Sequence, residues 1–468
     1  MLYLVPHLVT QRSARLWLCA RGLDQAQLDS VSLRVNGIDV PVPAAAWQRF
    51  PSAKAAGWQP VGAMPLHYQF IDKDGLMPDR PHQASANLNG DRAAQASFLT
   101  LPEQLGDETR PLRVLLSSCY FTGNKRSRLA SSLFSQLDRN GIRPHVRIWA
   151  GDQVYLDAPW YEFAIKAHSA AELERLHSAT YARTWFDEQG LGTILSKGAN
   201  VFCTDDHEWW NNAPEPSGLA RDTRKRKTRE AWSAMARELA SAFQGDTGTV
   251  RRFRVPPLDF LVLDARVHRS ECCERLFSDD QWKQLRAWAT EPQGLGVLVT
   301  GQPAFETTSR RRGSFSDYRL ADYEYEYAAL MELLGRATRS TTLLTGDLHF
   351  SRVAWSMFPA SATTGSVERR VTELISSPLA LVAGGDLLSS FGGWTAAPKK
   401  ASVPARHPFN GASMHTDDSL RSLAEGTMLL EVYRRGQRVF CMVSHWRLSD
   451  LDAARPFFRK EYLLGIAP

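Results

Sequence analysis

Three short segments carry acids and histidines at spacings that suit cation binding: Gly151-Asp152, Asp205-Asp206-His207-Glu208 and Gly346-Asp347-Leu348-His349. A carboxylate offers two oxygens and can bridge two cations, and the glycine before Asp152 lets backbone and ion approach closely. Asp347 and His349 are two residues apart. In an extended segment both would lie on one face and could grip one metal pair. Any one of these motifs has a plainer reading, since Gly-Asp is a common turn former. Together they say more. Several carboxylates sharing one mouth without cations would repel each other and lose their charges, so the set argues for bound metal.

Each segment follows a short apolar run, which is what a buried strand looks like. Val114-Leu115-Leu116 leads to Ser117-Ser118-Cys119-Tyr120, and His145-Val146-Arg147-Ile148-Trp149 leads to Gly151-Asp152-Gln153-Val154-Tyr155. Asn200-Val201-Phe202-Cys203 leads to Thr204 and the Asp205 segment, and Asp259-Phe260-Leu261-Val262-Leu263 to Asp264-Ala265-Arg266. Thr341-Thr342-Leu343-Leu344 leads to Thr345 and the Gly346 segment, and Val371-Thr372-Glu373-Leu374-Ile375 to Ser376-Ser377-Pro378. Helical patterns such as Arg126–Leu137 and Ala170–His177 separate the runs, which predicts a layered α/β core. In such sheets ligand sites gather at the carboxyl ends of strands, so the six runs point to one mouth.

The rest of the chain is organised around that core. Residues 1 to about 100 alternate polar and apolar, as in Ala14-Arg15-Leu16-Trp17-Leu18-Cys19 and Val31-Ser32-Leu33-Arg34-Val35, with an Asn36-Gly37 turn between short strands. This predicts a small N-terminal all-β sandwich over residues 1–108, ahead of a catalytic domain over 109–468. His67–Ile71 and Ala96–Leu101 read as its edge strands. Met428–Tyr433 and Val439–Val443 read as a hairpin completing a sheet. The stretch 389–417, rich in Gly, Pro and Ser, reads as a long loop or lid.

Composition excludes several classes. The 468 residues are 43% hydrophobic, ordinary for a globular protein with room for two domains. A formal charge of +6 is small and scattered, so no specific nucleic-acid partner is expected. The Arg-Lys-Arg-Lys run at 224–227 reads as the solvated face of a helix. The six cysteines show no CxxC spacing, which argues against a zinc ribbon or a disulfide framework. The N-terminus lacks the pattern of a secretory signal and no apolar run is long enough to span a bilayer, so a cytoplasmic protein without a transmembrane anchor is expected. Oligomeric state is open.

In order, Ser117-Ser118-Cys119, Gly151-Asp152-Gln153-Val154-Tyr155, Asp205-Asp206-His207-Glu208, Leu263-Asp264-Ala265-Arg266-Val267-His268-Arg269 and Thr345-Gly346-Asp347-Leu348-His349 resemble the motifs of the PhoD-like alkaline phosphatases, within the calcineurin-like metallophosphoesterases. The resemblance spans roughly 111–380 and also accounts for Tyr181, Arg183, the Asn211-Asn212 pair and the Gln281-Trp282 helix. It implies a four-layer sandwich of sheets flanked by helices. It further implies that Cys119, Asp152, Tyr155 and His349 hold Fe3+, for which a thiolate with a phenolate is suited. Asp152, Asp206 and Asp347 would hold Ca2+ or another divalent cation. His207 would not ligate but would face the phosphoryl group, stabilising the transition state or protonating the leaving oxygen, and Arg266, with Arg269, would grip phosphate oxygens.

Hydrolysis of a phosphate ester by a metal-bound hydroxide is the activity so implied. Diesterase or phospholipase-D-type activity is the alternative on the same fold. A metal-depleted, non-catalytic binding protein is disfavoured, because no apolar residue replaces any of these positions. Plainer readings stand beside these: Cys119 as a small buried hydrophobe, Tyr155 as a core aromatic, and Arg266 paired with Asp264 or another carboxylate. Adjacent residues at a strand end point oppositely, so one of Asp205 and Asp206 is expected to face the metal, and Asp206 is favoured for its place next to His207. The 221–251 insertion and the stretch after Ser377 depart furthest from the family pattern.

Overall fold

A computed structural model describes residues 1–50, 66–122, 125–157, 170–217, 221–291, 294–308, 317–358, 368–380, 400–403, 413–420, 422–450 and 455–466. The chain opens with eight strands: β1 (Leu2–Val9), β2 (Ser13–Arg21), β3 (Ser32–Val35), β4 (Ile38–Val40), β5 (Gln48–Phe50), β6 (Leu66–Asp74), β7 (Pro81–Leu88) and β8 (Asp91–Leu99). They pair into two antiparallel sheets, β1-β2-β6-β5 and β4-β3-β7-β8, as the alternating sequence predicts. A short helix, α1 (Gln25–Asp29), links β2 to β3.

The nearly unbroken apolar stretch in β2 follows from burial on both faces. Leu16, Leu18 and Ala20 point into the sandwich. Trp17 and Cys19 point into the helices of the next layer, where Trp17 Nε1 donates to the Ala242 carbonyl at 2.7 Å. The N-terminal sheets therefore share a core with the larger part of the chain. The expectation of two edge strands holds for β8 only: β6 pairs with both β2 and β5.

The central part is built on two further sheets. The first, ordered β11-β10-β9-β19-β20-β21, comprises β9 (Leu112–Ser117), β10 (Val146–Ala150), β11 (Asn200–Cys203), β19 (Gly426–Arg435), β20 (Arg438–Arg447) and β21 (Phe458–Ile466). The second, ordered β12-β13-β14-β15-β17-β16-β18, comprises β12 (Arg251–Val255), β13 (Leu258–Val262), β14 (Leu295–Val299), β15 (Thr341–Thr345), β16 (Arg352–Phe358), β17 (Arg369–Ile375) and β18 (Ser413–Thr416). Leu116, Ile148, Val201 and Leu430 from one sheet meet Phe260, Val297, Leu344 and Leu374 from the other in a single core. Truncating one such residue to alanine costs about 2–5 kcal/mol.

Helices α2 (Lys125–Arg139), α3 (Ala170–Trp185), α4 (Leu191–Leu195) and α5 (Arg226–Gln244) cover the outer face of the first sheet. Helices α6 (Asp279–Ala289) and α7 (Glu324–Arg336) cover the second. The architecture is the expected helix–sheet–sheet–helix sandwich.

Three details refine the sequence reading. The 221–251 insertion is largely α5, whose Trp232, Ala236, Leu239 and Phe243 are buried while Arg224-Lys225-Arg226-Lys227 before and at its start are exposed. Strand β14 was not anticipated, although it sits between β13 and β15 with every residue buried. Of the anticipated lid, 389–399 and 404–412 lie outside the described residues, while Ser413–Thr416 is a strand paired to β16.

The parallel registers explain where chemistry collects. Trp149 pairs with Ser117, and Ala150 with Cys203, so Cys119, Asp152 and Asp205 emerge at one level. Val299 pairs with Leu344, and Thr345 with Ile375, so Gly301, Gly346 and Ser376 emerge opposite. The two sheets are joined at this rim by Leu379 N–H to Ser118 O (2.8 Å) and Phe121 N–H to Ala380 O (2.7 Å).

Candidate metal centre

Cys119, Asp152, Asp206, His207, Asp347 and His349 all converge on this rim. Ligand atoms of Cys119, Asp152 and His349 lie within 4.8 Å of one another, as do those of Asp152, Asp206 and His207. A third group joins Asp152, Asp205, Asp206 and Asp347. Asp152 belongs to all three.

Tight turns bring these side chains together. Cys119, Asp152, Asn212, Asp347 and His349 all have positive φ, half of the ten such non-glycine residues described. Backbone strain of this kind persists only where the surroundings impose it, and it concentrates at functional sites. The surroundings here are close-packed: a Cβ on Gly151 would come 2.6 Å from Asp205 Cβ, and one on Gly346 would come 2.2 Å from the Ala150 carbonyl oxygen.

The expected extended geometry of Asp347 and His349 is replaced by consecutive turns, with Leu348 N–H bonded to Gly346 O and His349 N–H to Asp347 O. Those turns send His349 toward Cys119 and Asp347 toward the carboxylates. The alternation argument against Asp205 fails for a similar reason. Asp206–Glu208 is a single 3-10 turn, so Asp205 and Asp206 both face the centre.

Glu208, completely buried, holds this arrangement from behind. Its carboxylate accepts the backbone N–H groups of Asp152 (3.0 Å), Gln153 (2.6 Å), Val154 (3.2 Å) and Asp205 (2.9 Å), tying two ligand turns to one side chain. Asp157 does the same for His207: its Oδ1 lies 2.8 Å from Nδ1, and its Oδ2 accepts the Asn211 N–H at 2.7 Å. The His207 ring stacks on Tyr155 with centroids 4.2 Å apart. Burial alone would lower the His207 pKa, but Asp157, Asp206 and Asp152 hold it well above the usual histidine range. His349 is pushed down to about 3 by burial and by His207, which leaves a neutral imidazole suited to ligation.

Cys119 is fully buried, and its sulfur lies 3.3 Å from Asp152 Oδ2 and accepts the Ser377 hydroxyl at 3.1 Å. Ser118 Oγ is also 3.5 Å from the sulfur, but its one proton has the closer Ser376 carbonyl at 3.0 Å.

The donor set fits bound cations. Burial first, then Asp152 and Asp347, pushes the Cys119 thiol well up, and burial with Cys119, Asp152 and Asp206 does the same to Tyr155. Burial and neighbouring carboxylates likewise raise Asp152, Asp206 and Asp347. Positive ions at the centre would reverse each of these penalties. Among the described residues, the buried Tyr155 hydroxyl, Asp205 Oδ2 and the Asn212 side-chain amide have no protein hydrogen-bond partner. Buried polar atoms without partners are expensive unless a ligand meets them.

Arg266 is placed differently from the expected phosphate grip. Its Nε bonds Asp205 Oδ1 (2.6 Å), Nη1 bonds Ala213 O (2.7 Å) and Asp317 Oδ1 (3.2 Å), and Nη2 bonds Asp317 Oδ2 (2.7 Å) and lies 2.5 Å from Asp205 Oδ1. A guanidinium has five N–H donors, and all five are committed. The structural alternative, pairing with Asp264 or another carboxylate, is met by the other carboxylates: the partners are Asp205 and Asp317. Asp264 instead accepts the Thr204, Arg266 and Val267 N–H groups, while its carbonyl takes Gln281 Nε2 at 3.1 Å. Arg269 is also occupied, by Ala265 O, Tyr318 O and Gln302 Oε1.

Sequence reasoning missed the supporting roles of Glu208, Asp157 and Asp317. The first two sit inside or beside the motifs, but only the folded turns aim them. Asp317 has no such signal, since it follows a stretch without periodicity. Tyr181 is buried in the helical core, and Arg183 is exposed.

No family model and no curated protein matches this sequence. Solved structures do match. That of PhoD aligns over 99% of this chain and 90% of its own, with a TM-score of 0.61 at 16% identity. The chain has the PhoD fold. Purple acid phosphatase PPD1 from yellow lupin (Lupinus luteus) seeds aligns over 98% of this chain and 73% of its own, with a TM-score of 0.53 at 12% identity. Similarity at this identity defines the architecture, and the PhoD fold here carries groups that could hold metal ions at the rim of its paired sheets. No described helix is long and apolar enough to cross a membrane.

Proposed function

We propose that this chain is a metal-dependent phosphoric ester hydrolase whose centre is shared by two cations through Asp152. The observation that carries this reading is the convergence of three ligand groups on that one carboxylate. Cys119, Asp152, Tyr155 and His349 would hold the ferric position, and Asp152, Asp206 and Asp347 a calcium-like one. The bound ions would supply charge neutralisation for a phosphoryl group and acidify water.

The chain's own residues do the rest. Glu208 fixes the turns that present Asp152 and Asp205. Asp157 orients His207 and favours its protonated form, so the ring can give a proton to the leaving oxygen. Tyr155 packs against that ring and limits its rotation. Arg266 holds Asp205 in place. Residues 1–108 would act as a β-sandwich domain bracing the helices behind the centre, and 109–468 as the catalytic domain.

The test is turnover of nitrophenyl phosphate and bis-nitrophenyl phosphate, side by side, by protein whose iron and calcium have been measured. Metal-replete protein that hydrolyses neither would overturn the proposal. Preference between the two substrates decides monoesterase against diesterase.

A further inference from the structure

The role of Asp205 goes beyond that ligand assignment. Its Oδ1 takes Arg266 from both Nε and Nη2. Its Oδ2 is buried in a residue only 1% exposed and has no protein partner among those described. An Asp205 oxygen lies within 4.8 Å of ligand oxygens of Asp152, Asp206 and Asp347. A buried carboxylate oxygen without a partner, beside three further carboxylates, is costly unless a positive ion joins it.

Arg266 is held on its other side by both oxygens of Asp317 and by Ala213 O. Asp317 in turn takes Gln302 Nε2, and Gln302 Oε1 takes Arg269 Nη2 at 2.5 Å. This chain of contacts fixes Asp205 the way outer partners fix metal ligands elsewhere. We infer that Asp205 is a fourth carboxylate ligand of the second cation, acting through Oδ2 and positioned by Arg266 and Asp317. The inference rests on the metal-centre reading above.

Asp205 and Asp152 would give one oxygen each and Asp206 and Asp347 up to two each, which with water reaches the six to eight ligands that calcium accepts. Magnesium demands a smaller octahedron and keeps its waters, so the four-carboxylate position selects a large hard cation.

The experiment uses the full chain, stripped with chelator, reloaded with ferric iron and titrated calorimetrically with calcium chloride or magnesium chloride. Wild type is expected to bind calcium more tightly than magnesium. Asp205→Asn should weaken calcium by at least ~10-fold, in the range that loss of well-placed metal-site partners produces, with iron content unchanged. Asp317→Asn, which frees Arg266 without touching the ion, should weaken calcium less.

Wild-type calcium affinity in folded Asp205→Asn would overturn the inference, and so would loss of iron along with calcium. Should Asp205→Asn lose its native circular dichroism, Asp205→Glu carries the test. It keeps the charge and the arginine pair but moves the oxygen, so calcium must weaken there too, and unchanged affinity would overturn the inference. Wild type binding neither calcium nor magnesium would instead remove the metal-centre reading beneath it.

Discussion

Replacing Glu208 by glutamine keeps the size of the side chain and removes one acceptor. In the native site the two oxygens accept four backbone N–H groups, those of Asp152, Gln153, Val154 and Asp205. Each oxygen serves two of them. A glutamine amide must turn its NH2 toward one pair, leaving two buried donors without an acceptor. A buried donor left unsatisfied costs about 1–3 kcal/mol, so Glu208→Gln should cost about 2–6 kcal/mol in all. Urea unfolding of chelator-treated protein isolates this from metal linkage, which would otherwise add to apparent stability. Hydrogen exchange at the amides of Asp152, Gln153 and Val154 should accelerate in parallel. Because Asp152 is then less well positioned, metal affinity should also fall by ~10–100-fold. A variant within about 0.5 kcal/mol of wild type by the standard of neutral substitutions, with native exchange rates, would refute the idea that Glu208 organises the centre.

Two other perturbations follow from individual contacts. Ser377→Ala removes the hydroxyl that donates to the Cys119 sulfur at 3.1 Å, so the sulfur's electrons rise in energy and any thiolate-to-iron absorption band should move to longer wavelength. A band that Cys119→Ser abolishes but Ser377→Ala leaves in place would contradict that. Asp79 is held down to about 2, first by its hydrogen bond with His145 and then by Arg110, and it ties the N-terminal sheets to the start of β10. A depressed carboxyl stabilises above its unfolded pKa and loses that contribution as pH falls through its folded one. Asp79→Asn should therefore cost about 1 kcal/mol at pH 6, after allowance for solvent screening, and almost nothing at pH 2. Equal destabilisation at both pH values, measured by denaturant titration, would argue against the pairing.

Much of the fold was readable because buried parallel strands must be apolar on both faces. Six such runs were visible, and each became a strand of the central sheets. Strand β14 escaped because its carboxyl end carries Thr300-Gly301-Gln302, which has no ligand-like signature, although Gln302 supports Asp317. Residue type and spacing marked the acids and histidines that gather at the rim. Their geometry was not legible: period-two alternation applies to strands, whereas Asp206, Asp347 and His349 lie in turns, the last two with positive φ, and Asp205 caps the turn that Asp206 begins. Arg266 shows the same limit. The family resemblance implied a grip on phosphate, but Asp205 and Asp317, distant in sequence, occupy its donors. A single sequence cannot reveal which of several nearby acids an arginine will meet.

Metal content separates the roles most directly. Asp152→Ala and His207→Ala, purified alongside wild type, would be assayed for iron and calcium by elemental analysis and for phosphate-ester turnover. The shared position of Asp152 predicts that its variant loses both metals and activity, while His207→Ala keeps most of its metal and loses turnover. Asp152→Ala protein that retains both ions, or His207→Ala protein that loses them, would contradict the assignment of Asp152 as the bridge and of His207 to the phosphoryl side.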